Sequence, residues 1–393
     1  MPLTHLLADR MQRLGSETAF EMLAKAKALE AKGREIIHLE IGEPDFPAFS
    51  NVVDKGVEGL RAGLTKYTPS AGLMALREGI AVHVSRTRGY RVAPEEVVVT
   101  TGGKPIMFYV ILAMVNAGDE VMYPNPGFPI YESVIKFAGG VPVAVPLREE
   151  NDFRLDVDEF ISLLSPKTKL VILNSPSNPT GGVLTSEDLE AIAEAVRERD
   201  LVILSDEIYD NIVYDEPFQS VSVFPGMREK TVILNGFSKT YSMTGWRAGY
   251  GVMPVELAEH MTKLVVNSTS CLAGFTQMAC LEALEGPQDE VARRVAEFRK
   301  RRDFFIPRLN GIPGLVCRMP RGAFYAFPNI KGFGMSSREM ADYLLEAAGV
   351  ATLWGSSFGC WGEGYLRLSY AASLEDLERA ATAIAGALGR LWM

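Results

Sequence analysis

Two patterns of hydrophobic and polar positions alternate along the chain. Short apolar runs rich in β-branched residues recur at Glu96–Thr100, Glu120–Tyr123, Leu170–Leu173, Leu201–Leu204 and Thr231–Leu234. Each stops at Gly, Pro, Asn or Ser, as strands buried on both faces do. Between and around them lie longer stretches with apolar residues at helical spacing. These are residues 18–32 (ended by Gly33), 73–84, Ile106–Val115, Ser186–Arg199, Glu290–Arg308 and Ser337–Ala347. Strand alternating with helix predicts an α/β fold with a mostly parallel central sheet and helices on both faces. Residues 255–285 read as mixed helix, and Tyr365–Ser369 as a late strand. Glu290–Arg308 has the charge density of a long helix, and its basic cluster reads as a solvated face balanced by neighbouring acids.

The polar residues that end the strands carry the candidate chemistry. In open α/β sheets the carboxyl ends of the strands are where ligands bind. Thr101-Gly102-Gly103-Lys104 opens a helix, where free N–H groups and the positive dipole end suit an anion, although glycine often turns a chain without binding anything. Its spacing fits neither the Walker nor the dinucleotide fingerprint. Pro124-Asn125-Pro126-Gly127-Phe128-Pro129 fixes a rigid loop after the next strand. Asp206 follows four apolar residues, where a carboxylate is costly unless partnered, either by a helix N-terminus that it caps or by a cation. Lys239 comes shortly after Asn235-Gly236, among Phe237, Tyr241, Met243 and Trp246; Arg247 lies eight residues on. Partial desolvation is what an amine needs to titrate near neutrality. Asn178 and Asp206 are 28 residues apart, and Asp206 and Lys239 are 33 apart. Each interval is one helix-plus-strand unit, so all three residues are expected on one edge of one sheet.

Composition narrows the partners. The chain has 393 residues, 47% hydrophobic and 23% charged, with a net charge of −9, so a large core is available and no basic block stands out. Nucleic acid and anionic membrane are therefore excluded as expected partners. Four cysteines, Cys271, Cys280, Cys317 and Cys360, lack metal-ligand spacing and read as reduced thiols, mostly packed. No histidine pair suits a metal. The stretch MPLTHLLADRMQRL does not read as a secretory signal, and no apolar run approaches the length of a membrane span. A cytoplasmic protein is expected.

Ser238-Lys239 with Arg247, Asn178-Pro179-Thr180-Gly181 after a buried strand, and Arg367-Leu368-Ser369-Tyr370-Ala371 together resemble the signatures of pyridoxal-phosphate enzymes of fold type I, specifically class I/II aminotransferases. The resemblance covers essentially the whole chain. It implies an N-terminal segment at 1–48 packing on the small domain, a large cofactor-binding domain at 49–287, and a smaller α+β C-terminal domain at 288–393. It implies Lys239 as the lysine that carries pyridoxal 5′-phosphate and moves the substrate proton. Asp206 would serve the ring nitrogen, Asn178 and Tyr209 the 3-oxygen, and Phe128 would stack on the ring. Gly102, Gly103, Lys104, Ser238 and Arg247 would hold the phosphate, with Tyr67 reaching in from the other subunit of a homodimer with shared active sites. Gly42, Asn178 and Arg367 would bind the substrate α-carboxylate. Amino acids and 2-oxo acids such as 2-oxoglutarate are then the implied substrates, in a ping-pong cycle. Lys104 is left with two readings, phosphate or a side-chain carboxylate.

Four departures from the family pattern stand out. DFPAFSNVV replaces the usual continuation after Gly42-Glu43-Pro44, and Phe128 stands where Tyr or Trp is common. Trp354 precedes the Gly355-Ser356-Ser357-Phe358-Gly359 loop, where it is expected to narrow the active-site mouth. No cation lies between Lys263 and Arg293, the region in which dicarboxylate-specific relatives place an arginine. A tolerant enzyme is expected, taking aspartate, aromatic or other apolar donors. A C–S β-lyase or another enzyme of the same fold, and a non-catalytic binding protein, are the competing readings, since fold does not fix reaction.

Overall fold

The computed structural model describes residues 6–392. The first five residues of the N-terminal stretch and the last residue of the expected C-terminal domain lie outside the described residues. The helices are α1 (Ala19–Glu30), α2 (Ser50–Arg61), α3 (Met74–Arg88), α4 (Lys104–Met114), α5 (Ile130–Ala138), α6 (Val157–Leu163), α7 (Ser186–Val196), α8 (Val255–Val266), α9 (Gly274–Glu285), α10 (Asp289–Asn310), α11 (Ser337–Ala348) and α12 (Leu374–Gly389). The strands are β1 (Ile37–His38), β2 (Val97–Thr100), β3 (Glu120–Asn125), β4 (Val141–Pro146), β5 (Thr168–Asn174), β6 (Val202–Asp206), β7 (Thr231–Gly236), β8 (Gly249–Val252), β9 (Tyr325–Ala326), β10 (Val350–Ala351), β11 (Leu353–Trp354) and β12 (Leu366–Ser369).

Seven strands form the central sheet in the order β2-β8-β7-β6-β5-β3-β4. All neighbours pair in parallel except those of β8, which runs antiparallel to both β2 and β7. Side chains on successive residues face opposite sides of the sheet, and the cores divide accordingly. Val98, Leu204, Val232 and Leu234 pack with Ile106, Val110, Tyr131 and Met261, on the side of α4, α5 and α8. Val97, Val99 and Ile233 pack on the other side with Leu76 and Ile80 of α3 and Ala279 and Ala283 of α9. Helices on both faces leave no water for the strand backbones, which is why β5, β6 and β7 read as continuous apolar runs.

The register fixes the functional edge. Asn174 at the end of β5 pairs across to Asp206 at the end of β6, and Asp206 to Leu234 of β7. The carboxyl ends of three adjacent strands are thereby level. A third core gathers Met22 and Leu29 of α1, Phe298 and Phe305 of α10, Leu344 of α11 and Leu377 of α12. Around it β9, β12 and β11 form a three-stranded antiparallel sheet with β12 in the middle, and β1 pairs in parallel with β10. Residues 37–38 are thus tied to the same unit that carries Arg367 on β12.

The basic cluster of α10 departs from the expected solvated face. Arg294, Arg301 and Arg302 are buried. Arg301 holds both carboxylate oxygens of Asp45 at 2.7 and 3.0 Å, and Arg302 reaches Asp215 at 2.8 Å. Their guanidinium planes lie against Phe46 (4.7 Å) and Tyr214 (4.7 Å) respectively. A planar, weakly hydrated cation tolerates burial where a carboxylate and a ring flank it. Among the described residues no helix is long and apolar enough to cross a membrane.

Candidate active site

A cavity of about 510 Å³ opens at the carboxyl edge of β5, β6 and β7. Its lining includes Gly42, Gly103, Lys104, Phe128, Asn178, Asp206, Tyr209, Ser238, Lys239, Arg247 and Arg367, most of the residues that the sequence singled out. Two stand apart. Gly102 lies behind the wall with φ +98°, and a Cβ there would strike the Arg247 guanidinium. Tyr67 is 88% exposed and does not line the cavity of its own chain.

Asp206 forms the floor. It ends β6, is 8% exposed, and accepts hydrogen bonds from the Tyr131 hydroxyl at 2.6 Å and from the Ile208 N–H at 3.3 Å. Burial pushes its carboxyl up to about 6, against the hydrogen bonds from Tyr131 and Ile208, which favour the ionised form. Among the described residues no cation forms a salt bridge with it, and Lys239 acts on it only weakly. Tyr131 on α5 was not read from the sequence as functional. The signal was available in the demand that Asp206 have a partner, but nothing in the sequence says which distant hydroxyl supplies it.

Lys239 follows β7 on a turn and is half-buried. Its Nζ donates to the Gly42 carbonyl at 2.5 Å. Rings of Phe324 and Tyr209 lie 5.9 and 6.0 Å from the nitrogen. Burial, then the nearby Arg367 cation, pulls its amine down to about 8. Gly42 has no room for a side chain, because a Cβ would meet the Tyr325 hydroxyl. Tyr325 in turn shares a hydrogen bond of 2.6 Å with Tyr209.

Arg367 comes from β12 and is 4% exposed. Its Nη1 donates to the Asn178 side-chain oxygen at 3.1 Å and its Nη2 to the Glu40 carbonyl; the buried Nε has no partner among the described residues. Tyr325 and Phe358 rings cover the guanidinium at 4.6 and 5.1 Å. Asn178 is positioned by its own N–H, which donates to the Asn174 side chain at 2.9 Å at the end of β5. A buried guanidinium held only by neutral acceptors, with no carboxylate partner among the described residues, suits an anion.

Arg247 sits on the opposite wall in the left-handed region, φ +55°, anchored by Nη1 to the Thr244 carbonyl at 2.7 Å. Next to it Gly103 caps α4, whose first residue is Lys104. Lys104 pairs with Glu17, a residue absent from the sequence-based reading, and its Nζ lies 5.3 Å from the Phe128 ring. Phe128 meets Tyr131 edge to face at 5.7 Å. The expected narrowing of the mouth by Trp354 is not found. Trp354 is buried, covered by Lys25 and Arg338 at 5.7 and 4.9 Å, and does not line the cavity. No group of three or more His, Cys, Asp or Glu among the described residues is arranged for a metal ion.

A buried acid with no salt bridge among the described residues, a desolvated amine and two cations without carboxylate partners fit a cofactor with a basic ring nitrogen, a carbonyl and a phosphate. The comparisons with known proteins agree. The family model of aminotransferase class I and II matches residues 34–384. The aspartate aminotransferase of Bacillus sp. (strain YM-2) is 39% identical over 383 residues, covering 95% of this chain and 97% of that protein. Aromatic-amino-acid aminotransferase 2 of Thermococcus litoralis is 39% identical over 378 residues, covering 95% and 96%. The solved structure of the Thermus thermophilus aspartate aminotransferase with maleate superposes with a TM-score of 0.92 at 36% identity, covering 97% of this chain and 99% of that one.

Proposed function

The chain belongs to the class I and II aminotransferases, pyridoxal-phosphate-dependent enzymes of fold type I, and from that premise we propose a substrate range and a role for each cavity residue. The donors are aspartate, aromatic and other apolar L-amino acids, and 2-oxoglutarate is the common acceptor. Relatives named for both aspartate and aromatic amino acids support that breadth.

When bound, pyridoxal phosphate supplies an electron sink for the bond broken at the substrate Cα. Asp206 would hold a proton on the ring nitrogen, and that cation would offset the burial that raises its carboxyl. Asn178 and Tyr209 would donate to the cofactor 3-oxygen, and Phe128 would pack on the ring. Arg247, Ser238, Gly102 and Gly103 would hold the phosphate, with Tyr67 contributed by the other subunit of a homodimer. Lys104, which lines the same cavity, either supports the phosphate or meets a side-chain carboxylate. Arg367, with Asn178 and the Gly42 backbone, holds the α-carboxylate and so sets the Cα–H bond against the ring face. Lys239 then takes the proton from Cα and returns it to the other end of the reacting system as general base and acid. An amine near 8 keeps both protonation states accessible at neutral pH.

One observation carries this reading: the side chains of Arg367, Lys239 and Asp206 line a single cavity. The same reading makes the enzyme a homodimer, divides the chain at 48 and 287, and sets it in the cytoplasm, with which the four free cysteines accord. The test is a half-reaction. Holoenzyme given aspartate or phenylalanine alone should convert its cofactor absorbance stoichiometrically, and 2-oxoglutarate should restore it. Continuous release of a 2-oxo acid and ammonia instead would indicate a β-lyase, and an unchanged spectrum would indicate a binding protein.

A further inference from the structure

Four cations line the cavity: Lys104, Lys239, Arg247 and Arg367. Among the described residues, only Lys104 is already matched by a carboxylate, that of Glu17. Arg247 is held by a backbone carbonyl, Lys239 by another, and Arg367 by an amide oxygen and a carbonyl. The unmatched cations suffice for a phosphate and one α-carboxylate. A second carboxylate on the substrate finds its remaining cation occupied.

Glu17 is placed by the segment before α1. The short helical turn at Asp9–Arg13 packs against α5, and the Gly15 N–H donates to the Ser133 hydroxyl of α5 at 2.8 Å. The Glu17 side chain is 24% exposed and that of Lys104 48%, so the pair sits at the solvent side of the cavity. The same cavity is lined by the apolar side chains of Phe20, Ile41, Met107 and Phe128, and a second glutamate of the lining, Glu43, accepts from the Thr244 hydroxyl at 2.8 Å. From Asp206 through Tyr131 and Phe128 to Lys104 and Glu17 the contacts run without a break from floor to mouth.

We propose that Glu17 sets the choice between acidic and apolar substrate side chains, by holding Lys104 and by repelling a distal carboxylate. An aromatic or aliphatic side chain leaves the ion pair intact and packs on the apolar lining. A dicarboxylate has to displace Glu17 from Lys104 while its own charge lies beside it, a like-charge arrangement that works as a discriminator against one partner. The inference deepens the aminotransferase reading and rests on it for the direction in which the substrate lies.

The experiment uses holoenzyme, wild type and Glu17→Gln. The ratio of kcat/KM for glutamate to that for phenylalanine is read on each preparation, which makes it independent of the fraction of folded protein. Alongside it, the Kd of maleate is measured against that of 3-phenylpropionate by calorimetry, with no turnover involved. Glu17→Gln should raise the kinetic ratio about tenfold and tighten maleate about tenfold relative to 3-phenylpropionate. Ratios that stay constant or fall in the variant would overturn the proposal. Should wild type turn over neither donor, the function proposed above fails, while the binding ratio still decides the role of Glu17.

Discussion

At the scale of single residues the cavity stores two electrostatic costs that ligand binding relieves. The Lys239 amine is lowered to about 8 by burial and by Arg367. A lowered lysine binds fewer protons in the folded than in the unfolded chain. Its penalty is therefore present below pH 8 and is relieved as pH rises from 8 toward the ordinary lysine value. Cofactor-free Lys239→Met should accordingly be more stable than cofactor-free wild type at pH 7, by about 1–3 kcal/mol, with the difference vanishing at alkaline pH. Paired thermal melts at pH 7 and 10.5 check this, and the variant should retain no covalent cofactor and almost no turnover. Asp206 works in the opposite sense. Its carboxyl is raised to about 6, so the cofactor-free protein should lose stability as pH rises from the ordinary aspartate value through 6. Asp206→Ala should flatten that slope and slow Cα–H cleavage, seen with an α-deuterated donor in a single turnover. Arg367→Ala removes a buried contact common to every donor. It should cost about 2–5 kcal/mol in kcat/KM, and by a similar amount for aspartate, phenylalanine and methionine. Lys239, Asp206 and Arg367 were legible because each is a charge set among apolar neighbours. Tyr131, Tyr325 and Glu17 were not, since a tyrosine in a helix or strand looks like packing and a glutamate near a terminus looks like surface.

Among elements, the strands that read best were those buried on both faces, since β5, β6 and β7 need no alternation to be recognised. β8 was not recognised. Its residues, Gly249-Tyr250-Gly251-Val252, have glycine at every second position, a pattern that lowers strand propensity. The reason is steric. A Cβ on Gly249 would run into the Gly102–Gly103 backbone, and one on Gly251 into Met253 and Ile106. β8 therefore brings its backbone against the loop that ends β2 and opens α4, beside Arg247. Gly249→Ala should push that loop away, because backbone cannot rotate aside as a side chain does. About 1–3 kcal/mol of stability should be lost, together with cofactor affinity, and the check is a melt with and without pyridoxal phosphate. Gly251→Ala meets mobile side-chain ends and should cost less. The basic face of α10 was misread for a related reason. Charge density along a helix does not reveal that Asp45 and Asp215 arrive from elsewhere to pair with its arginines.

For the whole molecule, the proposed homodimer turns on Tyr67, which does not line the cavity of its own chain. Tyr67 stands 88% exposed on the segment between α2 and α3, with Leu60 and Leu64 also exposed nearby. An exposed apolar strip around a tyrosine that no local contact needs is what an isologous interface presents. If Tyr67 of the partner subunit reaches the phosphate, a mixture of two crippled variants should repair itself. In a heterodimer of Lys239→Ala and Tyr67→Ala chains, one site has both defects and the other has neither. After subunits exchange at equal concentrations, half of the dimers are mixed and each has one intact site. Activity should therefore rise to about a quarter of wild type, above the sum of the separate variants. Dilution below the dimer dissociation constant should abolish the gain. If Tyr67 serves its own chain instead, each heterodimer site keeps one defect, and mixing restores nothing at any concentration.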